Sequence, residues 1–257
     1  MIVLTPKQIA TLRDWFLPER PGPLVGLHVI HTGQGTCWAD RWPDPHAILV
    51  ETAGNYSLAG DPGALEPADL QGRITGFVEA PEPFVPLLLA TFPDAKRWGR
   101  VIFELRSRPH FSRPQDYVIR RLDPADASHL QALSPESAWI SKTWGGPAGV
   151  AASDRAWGAF AGRRLVSVAC VFFVGEHYEE IGVITEPEFR GRGLSAACAG
   201  ALCEEIWRRG HWSSWSTSPD NIGSIRVAEK LGFSHQRRDY LYAIGVSIPV
   251  PPSRQES

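Results

Sequence analysis

The 257-residue sequence predicts an α/β fold in two parts, and three observations predict it. Beyond residue 117, runs that alternate apolar and polar residues interleave with runs of helical period, the pattern of strands and helices in turn. Residues 106–115 carry Pro109, Ser112 and Pro114 and read as a linker between the parts. At 183–195 an apolar strand passes through a short turn, with two arginines and two glycines, into a helix of small residues. That order puts backbone N–H groups, the positive end of a helix dipole and guanidinium groups in one place, which suits a polyphosphate.

The first part, 1–112, is expected to be an N-terminal α/β domain. Thr5 or Pro6 opens a helix to Phe16, with Ile9, Leu12, Trp15 and Phe16 as its apolar stripe, and Leu17-Pro18 stops it. A helix over 24–31 ends at Gly33. Short strands follow over 36–39, 47–52 and 56–59, separated by turn residues. Residues 81–89 read as a helix and 100–105 as a strand. This part holds no phosphate loop, no paired catalytic set and no metal cluster, so its expected role is scaffold or substrate cover.

The second part, 113–247, is more regular. A strand over 117–121 precedes a helix from Asp123 or Pro124 to Leu133. Trp139 and Trp144 then stand near Gly145, Gly146 and Pro147. Strands over 156–160 and 165–173 make a hairpin across Ala161-Gly162-Arg163. The strand 178–185 leads into the turn. The helix 194–209 is closed by Arg208, Arg209 and Gly210, which suit a helix C-terminus. A strand over 212–218, a helix from Asn221 to Leu231 ended by Gly232, and a strand over 240–244 complete it. Residues 248–257, with Pro249, Pro251 and Pro252, read as a flexible tail. No strong internal repeat is visible in the sequence.

Composition excludes several classes of partner. The formal net charge of -2 gives no general attraction to nucleic acid or anionic membrane. Cys37, Cys170, Cys198 and Cys203 are scattered in apolar surroundings, as reduced buried thiols of a cytoplasmic protein would be. Neither these cysteines nor the histidines have metal-ligand spacing, so no metal is expected. The N-terminus lacks a basic region before an apolar core, and no apolar run is long enough to span a bilayer.

The turn matches neither common nucleotide motif. A dinucleotide site wants a third glycine where Leu194, Ser195 and Ala196 stand, and a nucleoside-triphosphate loop wants a Gly-Lys-Ser/Thr end. What stands here is Arg190-x-x-Gly193-x-Ser195, after Val183-Ile184-Thr185-Glu186-Pro187. Gly193 lets backbone approach a phosphate, and Ala196, Ala197, Ala199, Gly200 and Ala201 keep the helix slim. Alone, Arg190-Gly191-Arg192-Gly193 also fits a surface turn with solvated arginines. A second motif follows: Asn221-x-x-Ser224 leading to Ala228-Glu229-Lys230-Leu231-Gly232-Phe233. Together the two motifs resemble the GNAT superfamily of N-acetyltransferases over residues 117–244, with Ser195 where Gly or Ala is usual. The resemblance implies the GNAT fold, an α+β arrangement with a mixed central sheet flanked by helices. Gly35-Thr36-Cys37-Trp38-Ala39-Asp40, Pro45 and Leu58-Ala59-Gly60-Asp61 resemble the amino half of two-part acetyltransferases related to zwittermicin-resistance proteins.

The resemblance implies transfer of an acetyl group from acetyl-CoA to an amine, here a primary amine of a small molecule. Val183, Ile184 and Thr185 would pair with the pantetheine arm as a further strand. The amides of Arg190, Gly191, Arg192, Gly193, Leu194 and Ser195 would hold the pyrophosphate, with Asn221 and Ser224 as further cofactor contacts; Asn221 also suits a helix N-cap. An alkyl ammonium with a pKa of ~10.4 needs a base before it attacks. Glu179 and Glu180 point to opposite faces of the strand; Glu179, placed like the glutamate of histone-acetylating relatives, is preferred. Both also fit solvated carboxylates at a strand end. The family's tyrosine acid falls at Ala228, which leaves Tyr178, Tyr240, Ser216 or a water. Trp139 and Trp144 are candidate acceptor contacts, and His177 lies near the expected base. Two alternatives remain: a CoA-binding sensor without turnover, and an acetyltransferase of protein N-termini or lysines. The oligomeric state stays open between monomer and homodimer.

Overall fold

A computed structural model describes residues 1–251; residues 252–257, the end of the expected tail, lie outside the described residues. The two parts of the chain repeat one order of elements. The first runs β1 (Ile2–Val3), α1 (Pro6–Ile9), α2 (Val25–Thr32), β2 (Thr36–Ala39), β3 (Ala47–Thr52), β4 (Asn55–Gly60), α3 (Pro67–Leu70), β5 (Gly76–Glu79), α4 (Val85–Thr91) and β6 (Lys96–Leu105). The second runs β7 (Val118–Arg121), α5 (Ala127–Gln131), α6 (Pro147–Ala152), β8 (Ala156–Ala161), β9 (Arg164–Val174), β10 (Tyr178–Thr185), α7 (Leu194–Arg208), β11 (Trp212–Thr217), α8 (Ile222–Leu231) and β12 (Ser234–Ile244).

The twelve strands of the described residues form one mixed sheet, in the order β1-β2-β3-β4-β5-β12-β6-β11-β10-β9-β8-β7. In each part four antiparallel strands lead to one parallel neighbour, β4 beside β5 and β10 beside β11. The last strands are exchanged: β12 pairs with β5, and β6 pairs with β11. A division near residue 112 therefore separates two copies of an order of elements, yet each part completes the other's sheet. The repeat escapes the sequence because its copies differ in scale: α3 has 4 residues and α7 has 15.

Helices cover both faces. On one face, α7 lays Leu194, Cys198, Leu202 and Ile206 against Val101, Phe103, Ile181 and Trp215. Burying each such large side chain contributes roughly 1.5–3 kcal/mol. The small residues of α7 allow this closeness; a Cβ on Gly200 would collide with the ring of Phe111, in the linker that crosses the helix. On the other face, Leu130 of α5 and Val150 of α6 pack on Val168, Cys170 and Ile184. The four cysteines are free and buried, and burial pushes each thiol up to about 12. No described helix is long and apolar enough to cross a membrane.

Differences from expectation have local causes. α1 ends at Ile9, and a tighter helical winding carries the chain on through Phe16. β12 begins at Ser234 instead of residue 240, because its polar first half finds partners in β6 rather than an apolar pattern of its own.

His28 ties the two parts together. It is fully buried on α2, with Nε2 2.8 Å from the Thr143 carbonyl and Nδ1 accepting from Val174 N–H at 3.2 Å. Burial lowers its pKa to about 4, so the neutral ring serves both contacts. The unfolded chain takes up this proton first, and stability falls as pH drops from about 6.5 toward 4. His28→Ala is expected to cost about 2 kcal/mol at pH 7 by orphaning both backbone groups. It should also remove that part of the pH dependence, which urea unfolding across the range reads directly.

Candidate active site

The two central strands part company at Glu180. β10 pairs in parallel with β11 only at Tyr178, Glu179 and Glu180, opposite Trp212, Ser213 and Ser214. Past that point β10 stays with β9 as far as Thr185, while β11 stays with β6 as far as Thr217. The inner backbone edges of Ile181–Thr185 and Trp215–Thr217 are thus left without each other. A register shift between Glu180 and Ile181 leaves Phe172 of β9 as the extra residue, a bulge in the neighbouring strand level with the fork.

The turn beyond the fork is a set of bare donors. Among the described residues no acceptor takes the amides of residues 191–196; the first bond of the helix is Ala197 N–H to the Gly193 carbonyl at 3.0 Å. Gly191 and Gly193 have φ of +77° and +76°, and a Cβ at either would meet nothing within 4 Å. Positive φ makes them glycine, and the open space leaves room for a ligand above the backbone. Ser195 serves the structure here, since its Oγ is 2.7 Å from Thr185 Oγ1, which is 2.7 Å from Ser167 Oγ. This hydroxyl chain pins the start of α7 to the end of β10. Arg190 Nε donates to the Thr185 carbonyl at 3.3 Å, and Arg192 donates to Tyr117 Oη and the Glu188 carbonyl. Asn221 caps α8 by accepting from Ser224 N–H at 3.2 Å, while Ser224 Oγ accepts from Trp215 Nε1 at 3.0 Å.

Glu179 and Glu180 point to opposite faces and meet opposite environments. Glu179, 0% exposed, faces the end of α7. Arg209 donates to it at 2.7 and 3.3 Å, His211 Nδ1 lies at 2.9 Å, and Arg155 Nη1 pairs with it at 2.8 Å. Burial alone would raise its pKa; the His211 hydrogen bond and the charges of Arg155 and Arg209 override burial and hold the carboxyl at about 2. Such a group is a weak base, already committed to three hydrogen bonds and an ion pair. His177 is exposed and is not among these partners; His211 takes that place.

Glu180 is 6% exposed on the other face, and its Oε2 has no partner. Burial pushes its carboxyl above the ordinary range, against the opposing pull of Ser216, Arg100 and Arg237. The register builds this face. Glu180 stands across from Ser214, Ser216 across from Ile102, and Ile102 across from Arg237. Of six buried side-chain polar atoms without a hydrogen bond among the described residues, four lie here: Glu180 Oε2, Ser216 Oγ, Arg100 Nε and Arg237 Nη2. Buried polar groups are normally paired, so this concentration marks a place for a ligand. A segment of the first part closes over it. Gly22 N–H donates to Ser214 Oγ at 2.8 Å, and Arg237 Nη1 donates to the Pro21 carbonyl at 2.6 Å. Gly22 is required there, since its φ is +132° and a Cβ would stand 2.8 Å from Arg237 Nη2. Sequence reasoning missed Arg100 and Arg237 as site residues; only the strand exchange brings them to Glu180.

The remaining candidates separate by position. Ala228 is fully buried in the core under α7. Tyr240 is 47% exposed, with Arg97 stacked on its ring. Tyr178 donates to Glu104 at 2.6 Å and accepts from Arg106 at 2.5 Å; burial, then Glu104, raises its pKa to about 12. Ser216 stands at the fork with a free hydroxyl. Trp139 packs on Phe172 and borders Gly182, two residues past Glu180 on the same face. Trp144 spends its indole N–H on the Val171 carbonyl at 2.6 Å and lines a cavity of 360 Å³ with His31, Gln34 and Arg155.

Comparison with known proteins gives the family. Residues 24–242 match the profile of the GNAT acetyltransferase family, and the chain belongs to that family. It is 42% identical over 214 residues to an uncharacterised N-acetyltransferase of Streptomyces virginiae, covering 82% of this chain and 90% of the relative. Its fold is similar to that of a GCN5-related N-acetyltransferase-like protein from Streptococcus suis, with a TM-score of 0.69 at 18% identity, over 93% of this chain and 98% of that one. A tandem GNAT protein from the clavulanic acid biosynthesis pathway aligns with a TM-score of 0.59 at 15% identity, over 96% and 99% of the two chains. The doubled order of elements seen here fits such a tandem fold.

Proposed function

We propose that this acetyltransferase uses acetyl-CoA to acetylate the primary amine of a small molecule by direct attack, with Glu180 as general base. The observation that carries the reading is the fork itself: an unpaired strand edge opens beside a buried glutamate, Glu180, with a free oxygen. The cradle fits the cofactor, since bare amides and open space above two glycines suit a diphosphate. Val183, Ile184 and Thr185 would offer their edge to the pantetheine arm. Residues from Arg190 to Ser195 would hold the pyrophosphate through their amides. Asn221 and Ser224 would set the neighbouring helix start. When bound, acetyl-CoA supplies a thioester whose carbonyl carbon takes the amine's lone pair as the thiolate leaves.

The other roles belong to the chain's own groups. Glu180 removes the amine's proton; a raised carboxyl is a better base than an ordinary one. Ser216 Oγ would donate a hydrogen bond to the departing sulfur, whose thiolate, with a reference pKa of ~8.5, takes its proton from solvent. Glu179 becomes a positioning charge that fixes the end of α7 against β10. Trp139 borders the acceptor, Trp144 does not, and the Pro21–Gly22 segment makes the first part a substrate cover. The reading is tested by incubating the protein with labelled acetyl-CoA and an amine panel, following free thiol and product mass. Label on a small amine supports it. Coenzyme binding without thiol release favours a sensor, and label on protein N-termini or lysines favours a protein acceptor.

A prediction attaches to the cradle. Gly193→Glu should weaken coenzyme A binding roughly 10- to 100-fold, through the side chain over the amides, its charge, and strain at positive φ. Calorimetric titration reads this; unchanged affinity would overturn the cradle assignment.

A further inference from the structure

The face that carries Glu180 also carries two cations that removing a proton from an amine does not require. Arg100 on β6 stands across from Asp239, and Arg237 on β12 stands across from Ile102, so the two side chains rise from adjacent strands one pair apart. Arg100 has no ion-pair partner among the described residues; Glu180 and Asp220 act on it only through space. Its guanidinium lies 4.3 Å over the Trp98 ring, and its Nε is buried without an acceptor. Arg237 has spent two nitrogens, Nε on Asp239 at 3.1 Å and Nη1 on the Pro21 carbonyl at 2.6 Å. Its Nη2 is buried and free. Burial lowers the Arg100 pKa to about 10, against the opposing pull of Glu180 and Asp220.

We propose that the acceptor is an amine that also bears a carboxylate, an amino acid or a close analogue. Its amine meets Glu180 and its carboxylate takes the free N–H groups of Arg100 and Arg237. This rests on the reading of Glu180 as the amine's base. A carboxylate has two oxygens for the two free donors and cancels the charge of Arg100, which has no ion-pair partner among the described residues. A diamine or polyamine would bring like charge against both arginines, and an amine without a carboxylate would leave the Arg100 Nε and Arg237 Nη2 donors unmet. A zwitterion places one charge of each sign where the site holds the opposite one. The cover formed by Pro21 and Gly22 narrows water's access to this face, where Arg100 Nε and Arg237 Nη2 are buried, and so makes the missing carboxylate costly for any other amine.

Matched sets test the idea: α-, β- and γ-amino acids, their carboxamides and their decarboxylated amines, for example leucine, leucinamide and 3-methylbutylamine. The acid is expected to exceed its carboxamide in kcat/KM by roughly 10- to 100-fold, mostly through KM. Arg100→Ala should bring that ratio toward one, and Arg100→Lys should restore part of it. Carboxamides or simple amines turned over as well as the acids overturn the proposal. So does a ratio unchanged in Arg100→Ala, or failure of every carboxylated amine to bind or react. Titration of acid and carboxamide into the wild-type protein without cofactor gives the comparison independently of turnover and of any folding defect in a variant; equal affinities again overturn it. A companion titration with coenzyme A keeps the two readings apart, since failure there removes the cofactor assignment alone.

Discussion

Glu180→Gln is expected to lower kcat/KM by roughly 10²- to 10⁴-fold at neutral pH, the range for loss of a general base. The amide keeps the shape of the side chain and cannot take a proton. The direction with pH follows from burial, which raises the Glu180 carboxyl above the ordinary range. The wild-type rate should therefore climb with pH through a group titrating higher than an exposed glutamate. The variant should lack that step and recover only as the solution approaches the amine's own pKa of ~10.4. The measurement is the rate of thiol release from pH 5 to 9.5 for both proteins. A constant ratio of variant to wild type across that range would count against Glu180 as the base. The folded state should tolerate the change, because Glu180 makes no ion pair whose loss would leave an orphan charge.

The reversal between the two glutamates shows what a sequence can carry. The cradle is local: strand, turn and helix start all lie within 183–195, so the order of residues alone places amides and glycines together. The opposite facing of Glu179 and Glu180 is local too, since side chains alternate along a strand. Which of the two carboxylates is tied up in ion pairs is not local. It depends on Arg209 and His211, which follow α7 and return beside β10 only because the parallel crossover brings them there. Arg100 and Arg237 are further still, on strands exchanged between two copies of one fold. The polar opening of β12, Ser234-His235-Gln236-Arg237-Arg238-Asp239, hides a strand because polar residues meet a polar site on one face and solvent on the other.

Glu179→Gln should separate structure from chemistry by destabilising the fold by about 3 kcal/mol at pH 7. Folded Glu179 titrates at about 2 and an ordinary glutamate near 4.5. The unfolded chain binds this proton first on acidification, so the stabilisation is complete above pH ~4.5 and is lost as pH falls toward 2. Glutamine removes the anion while Arg155 and Arg209 keep their charges. Both are 27% exposed and regain some water, which holds the cost to the lower end for a broken buried pair. Urea unfolding of both proteins should show a constant gap from pH 7 to 5 that shrinks to roughly half by pH 3. Equal stability at pH 7, or a gap unchanged at pH 3, would sink the ion-cluster role. The same variant should keep the wild-type slope of rate against pH, because the proposed base, Glu180, stands on the other face of β10.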